Sequence, residues 1–181
     1  MMVELVLTER DISMLRMIRP RTHEIGGALV LNANGTIEDV RLAGGGACRD
    51  GKGKLLPGKV CSVRHPTGPV VFHTHPRANR PSSTDLRNAA IAANTHLVVT
   101  PLGVWIYKAT PALAREWKGW DADRRRRAVL EWRFLGHRAQ RATQNGDTKE
   151  MRKWMLSAGF SSGYVPYTEI GSYAAWKISL P

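Results

Sequence analysis

The chain has 181 residues, 43% of them hydrophobic, which is enough for one good core and suggests a single domain with an appendage. Lys and Arg number 27 against 15 Asp and Glu, a net charge of +12 that suits nucleic acid, an acidic protein surface or another anionic partner. No apolar run approaches the roughly 20 residues of a membrane span, and the start lacks the basic region of a secretory signal, so the expected setting is cytoplasmic or nuclear, not secreted and without a membrane partner.

The first predicted element is an alternating strand from Val3 to Leu7, followed by a helix from Glu9 to Ile18, capped near Thr8 and stopped by Pro20. Glu24 opens the segment to Leu31, which reads as a core strand whose small residues allow close backbone approach. Asn32-Ala33-Asn34-Gly35 is a hairpin signal leading into a strand from Ile37 to Leu42. Gly44 to Gly58, rich in glycine and lysine, reads as a flexible loop, either gripping a substrate tail or simply solvated, and a strand near Val60 to Arg64 follows. Cys48 and Cys61 stand outside any CxxC spacing and read as free thiols of a reducing compartment.

Pro69-Val70-Val71-Phe72 is an apolar run that reads as a buried strand leading into His73-Thr74-His75-Pro76. Side chains at i and i+2 of a strand share a face, so His73 and His75 project together, with Thr74 opposed and Pro76 ending the ladder. After the loop Arg77 to Pro81, Ser82-Ser83-Thr84-Asp85 offers several N-caps for a helix from Leu86 to Asn94, which sets Asp85 near a helix start where it can turn back toward the strand end. Two neutral imidazoles and one carboxylate can close three corners of a zinc tetrahedron; with the divalent ion the net charge is about +1 and the fourth corner is left to water. Glu24 is placed to act as general base, and the Ser82 hydroxyl to donate to a developing oxyanion.

A hairpin follows, from His96 to Thr100 and, after a Pro101-Leu102-Gly103 turn, from Val104 to Lys108. From Pro111 the chain becomes helical. Arg124 to Arg141 is a long basic segment with Ala128, Trp132, Leu135 and Ala139 at helical spacing, and a further helix from Lys149 to Ala158 ends at Gly159 as C-cap. Trp117, Trp120, Trp132 and Trp154 read as core filling between helices. The end, Gly163 through Tyr173 to Ile178, reads as a short hairpin or an extended arm. The organisation expected is a core over residues 1–110 and a basic helical extension over 111–181 whose C-terminal arm packs on it, in an α/β chain with a mixed β-sheet flanked by helices.

Glu24, His73-Thr74-His75-Pro76 and Ser82-x-x-Asp85 together resemble the JAMM motif of the MPN metalloproteases, among them isopeptidases that remove ubiquitin and ubiquitin-like proteins. The resemblance covers roughly the first 110 residues, with the gap from His75 to Asp85 one residue shorter than in the best-known members. It implies a cytidine-deaminase-like α/β fold, one catalytic Zn2+ held by His73, His75 and Asp85, Glu24 as general acid and base, Ser82 as oxyanion stabiliser, and a protein substrate cleaved at a peptide or isopeptide bond.

Simpler readings compete at each position. A His-x-His pair before a proline, taken alone, reads as two half-exposed histidines ending an edge strand; the added Asp, Ser and upstream Glu turn the balance toward a metal. Glu24 has Arg19 and Arg21 as alternative ion-pair partners, and Ser82 has plain N-capping. His23, His65, His96 and His137, at element edges or on a basic helix, carry no predicted role. The alternative function is a non-catalytic MPN-type binding or scaffold module with a basic, nucleic-acid-binding surface centred on Arg124-Arg125-Arg126-Arg127, although such a run at a helix start opposes the helix dipole. Ubiquitin itself has an apolar patch rimmed by basic side chains, which so basic a protein would repel unless acids cluster locally. A nucleobase deaminase fits poorly, since neither cysteine sits in the required Pro-Cys-x-x-Cys pattern.

Overall fold

Strand periodicity gives the central sheet two apolar faces, and each is covered by a different part of the chain. The computed structural model describes residues 2–43, 45–49, 52, 54–63, 68–168 and 174–179. In chain order the elements are β1 (Met2–Leu7), α1 (Glu9–Ile18), β2 (Gly26–Leu31), β3 (Ile37–Ala43), β4 (Gly45–Arg49), β5 (Leu55–Val63), β6 (Val70–Thr74), α2 (Ser83–Ala92), β7 (Thr95–Val99) and β8 (Gly103–Ala109). They continue as α3 (Pro111–Gly119), α4 (Ala122–Arg138), α5 (Gln140–Gln144), α6 (Lys149–Ser157), β9 (Phe160–Pro166) and β10 (Ala174–Ser179).

The main sheet has six strands in the order β3-β2-β6-β7-β8-β9, with β6 and β7 parallel and every other neighbouring pair antiparallel. The parallel pair needs a crossover, and α2 supplies it. Alternation along the strands then sorts the side chains. Val70 and Phe72, Leu97 and Val99, and Val104 and Ile106 pack with Leu5 and Leu7 of β1 and Leu15 of α1. Val98, Trp105, Tyr107 and Ala109 point the other way, against α2, α3, α4 and α6. The fold is thus a mixed α/β structure with a six-stranded mixed sheet, and six helices among the described residues. Among those residues no helix is long and apolar enough to cross a membrane.

Helix starts follow their sequence signals. Thr8 and Asp11 cap each other at α1, Thr110 caps α3 with Pro111 in its first turn, and Asp121 accepts from the Arg124 N–H at 2.7 Å at the start of α4. Asp121 and Asp123 thereby offset the arginine run at the positive helix end. Gly159, at φ 93°, follows the last turn of α6 as a left-handed C′ residue that a side chain would strain. Trp117 stacks on Trp132, which meets Phe160 edge to face, in the core between α3, α4 and β9, with Trp154 buried in the same cluster and Trp120 half-buried against it.

Several expectations change. The predicted strand from Glu24 begins at Gly26, leaving Glu24 just ahead of it. Gly44 to Gly58 is not a flexible loop throughout: β4 and β5 pair antiparallel, with two register shifts, and the expected strand at Val60 is the end of the longer β5. Ladder formation uses backbone N–H and C=O groups, which a glycine- and lysine-rich composition does not remove. Arg64 and His65 lie outside the described residues, as do the side chains of Cys48 and Cys61. The helix after Asp85 starts earlier, at Ser83, and stops at Ala92, because Ala93 turns into the left-handed region at φ 54° and the Asn94 amide donates to Gly68 O at 3.1 Å. The basic segment breaks at Ala139 into α4 and α5. The chain end is not a hairpin: β9 joins the main sheet beside β8, and β10 pairs with β1.

Candidate metal centre

The site lies where β6 ends. Thr74 donates its N–H to Ile25 O at 2.8 Å and accepts the Ile25 N–H on Oγ1 at 3.0 Å, while the His75 N–H donates to Val99 O at 2.8 Å. The strand end is therefore held from both sides, and the two-residue period aims His73 and His75 to one face. Close approach of β2 is needed here, and Gly27 permits it: a Cβ there would fall 2.1 Å from Arg41 O and 2.7 Å from the Phe72 ring.

Asp85 arrives from the other direction. Ser82 is the N-cap of α2 and Asp85 its third residue, in a reciprocal capping box: the Asp85 N–H donates to Ser82 Oγ at 3.2 Å and the Ser82 N–H to Asp85 Oδ2 at 2.6 Å. The short loop from Arg77 to Pro81 thus suffices to bring the carboxylate back over the strand end. Among the described residues His73, His75 and Asp85 form a buried group that could hold a metal ion.

The distances come close to what an ion needs. His73 Nε2 lies 3.1 Å from His75 Nε2 and 3.1 Å from Asp85 Oδ1, and His75 Nε2 lies 3.3 Å from Asp85 Oδ2. A tetrahedral ion with bonds of roughly 2.0 to 2.1 Å needs donors about 3.3 to 3.4 Å apart. Hydrogen bonding alone fits less well. If both rings donate to Asp85, two donor nitrogens face each other at 3.1 Å with no acceptor between them. The donor set, two imidazoles and a carboxylate, is one that divalent transition-metal ions, zinc among them, accept.

Electrostatics favour the charged forms of the pair. Burial pushes the Asp85 carboxyl up, but His73 and His75 outweigh it and hold the group well below the usual carboxylate range. Burial pushes His73 down, yet the adjacent Asp85, with a smaller contribution from Glu24, raises it above the ordinary imidazole value. Glu24 is half-buried, and continuing the β2–β6 register past Gly26 and His73 brings it level with His75. Its field is felt at His73, so the structure brings it to the same end of the sheet as the three candidate ligands.

Neighbours that sequence reasoning missed complete the surroundings. Arg19, considered above as a partner for Glu24, instead donates Nη1 to Pro76 O at 3.2 Å and to His75 O at 3.4 Å. Arg80, in the loop between the ligands, is lowered by burial and partly restored by Asp85; its Nη1 sits 2.7 Å from where a Cβ on Gly136 of α4 would be. Trp105 donates Nε1 to Asn79 O at 2.8 Å, tying the same loop to β8. Burial, reinforced by the Asp85 charge, holds the Tyr107 hydroxyl well above its ordinary value. No sequence pattern marks these contacts, because the partners lie far apart along the chain. Of the remaining histidines, His96, the second residue of β7, is buried and stacked on Tyr107 at 5.5 Å. His137 lies with Nδ1 3.2 Å from Gln140 Oε1, and His23 with Nδ1 3.2 Å from Thr22 Oγ1. Comparison with protein-family models and with curated proteins finds no match.

Proposed function

We propose that the chain is a zinc-dependent metallopeptidase of the JAMM type, hydrolysing peptide or isopeptide bonds, with ubiquitin-like conjugates as one candidate substrate class. The observation that carries the reading is the convergence of His73 Nε2, His75 Nε2 and the Asp85 carboxylate within 3.1 to 3.3 Å of one another. The six-stranded mixed sheet, with the ligands at the end of a strand and on the helix that follows it, is compatible with the cytidine-deaminase-like core this reading requires.

His73, His75 and Asp85 would hold the ion. Zinc bound there would supply Lewis acidity and lower the pKa of a water to about 7. Glu24 is the general base in this proposal: its carboxylate takes the proton of the attacking water and returns it to the leaving nitrogen. The Ser82 Oγ uses a lone pair to cap Asp85 N–H, which leaves its own proton to donate to the carbonyl oxygen of the substrate as charge develops on it. Capping and oxyanion stabilisation are thus compatible on one hydroxyl.

The test is hydrolysis. A panel of ubiquitin chains, ubiquitin-like precursors and short peptides, incubated with zinc-loaded protein and read by intact mass, should give chelator-sensitive cleavage of at least one member. Zinc-loaded protein that cleaves nothing would remove the peptidase reading.

A further inference from the structure

We propose that the outer face of α2, α3 and α4 is a docking groove for an acidic amphipathic helix of a protein partner. The inference does not depend on the reading of the metal centre. The groove encloses about 740 Å3 and is lined by Arg87, Lys118, Arg125 and Arg126 around apolar Ile91 and Leu130, with no acidic residue in its wall. Ile91 and Leu130 are half exposed, at 50% and 55%, on neighbouring helices facing one channel.

The cations fall into two kinds. Arg125 is fixed, donating Nε to Trp117 O at 3.0 Å and Nη2 to Lys118 O at 3.1 Å, and so shapes the wall. Arg87, Lys118 and Arg126 are exposed, and among the described residues none of the three is paired with a carboxylate. Three unneutralised cations beside exposed aliphatic side chains call for an occupant with both anionic groups and apolar anchors. Nucleic acid satisfies only the first demand. Its bases need an open aromatic face, and the one tryptophan in the wall, Trp117, is 4% exposed and stacked on Trp132. A helix with leucines at i, i+3, i+4 and i+7 and acids between them satisfies both.

The full chain is titrated into a labelled synthetic peptide of that pattern, followed by anisotropy, alongside the same peptide with lysines for its acids, single-stranded oligo-dT and phosphatidylserine vesicles. The acidic peptide should bind and the lysine version should not. Arg87→Glu combined with Arg126→Glu should weaken binding by about tenfold or more. Leu130→Ser, on an exposed position that leaves the core intact, should weaken it about fivefold. Circular dichroism checks that both variants stay folded. No binding of the acidic peptide, binding that tolerates Leu130→Ser, or tighter binding of oligo-dT or vesicles that ignores this substitution would overturn the proposal.

Discussion

Ser82 and Asp85 cap each other across the first turn of α2, and the carboxylate so held is the one that meets His73 at 3.1 Å and His75 at 3.3 Å. A device that starts a helix therefore also orients a candidate metal ligand.

Ser82 should consequently matter twice. Ser82→Ala removes the cap and should cost about 1 kcal/mol of stability, seen as a lowered melting temperature. Under the peptidase reading it should also lower turnover by about 10²-fold. Ser82→Thr, which keeps both acceptor and donor, should recover both. Full turnover in the alanine variant would reduce Ser82 to a cap alone.

Glu24→Gln should separate holding the metal from using it. The amide cannot take a proton, so zinc content should persist while turnover drops by about 10² to 10⁴-fold. Zinc content and hydrolysis are measured on the same preparation. Hydrolysis equal to wild type would take Glu24 out of the chemistry.

Arg19 reaches from the end of α1 to the carbonyls of His75 and Pro76 and so fixes the turn that follows the second imidazole. Arg19→Met keeps the aliphatic stem but loses both bonds. Zinc affinity, measured by competition with a chromogenic chelator, should fall about tenfold or more, the cost usual for losing an outer support. An unchanged affinity would make Arg19 a packing residue only.

Tyr164 and Tyr167 give the pH dependence a sign. Burial pushes both phenols up to about 12, with Arg19 and Arg16 pulling Tyr167 partly back. Unfolded phenols ionise near about 10. Their contribution is therefore complete below that pH and is lost as pH rises through the raised folded values. Thermal melts should decline across this alkaline window, and less steeply in Tyr167→Phe, which also forfeits the 2.9 Å bond to Thr100 O. Identical slopes in the two proteins would exclude Tyr167 as a source.

Local signals were legible in the sequence. The alternation of a strand aligned His73 with His75, and the step from Ser82 to Asp85 marked a helix start that sets Asp85 near the strand end. Thr8 and Gly159 marked helix ends in the same way. What escaped notice depends on partners far along the chain. The pairing of β9 with β8 and of β10 with β1 leaves no local pattern, because an edge strand is selected by the sheet it meets. Arg19 and Arg80 act through contacts that only the folded chain creates. Gly44 to Gly58 misled for a related reason: its glycines suggested freedom, whereas the β4 ladder asks for backbone groups and not for side chains.

The zinc content of the purified chain tests the central reading most directly, since it requires no substrate. After incubation with zinc and removal of the excess, elemental mass spectrometry should find about one ion per chain, and His73→Ala or Asp85→Ala should abolish it while circular dichroism shows the fold retained. Wild-type protein that stays metal-free at saturating zinc, or a His73→Ala variant that keeps a full equivalent, would contradict it.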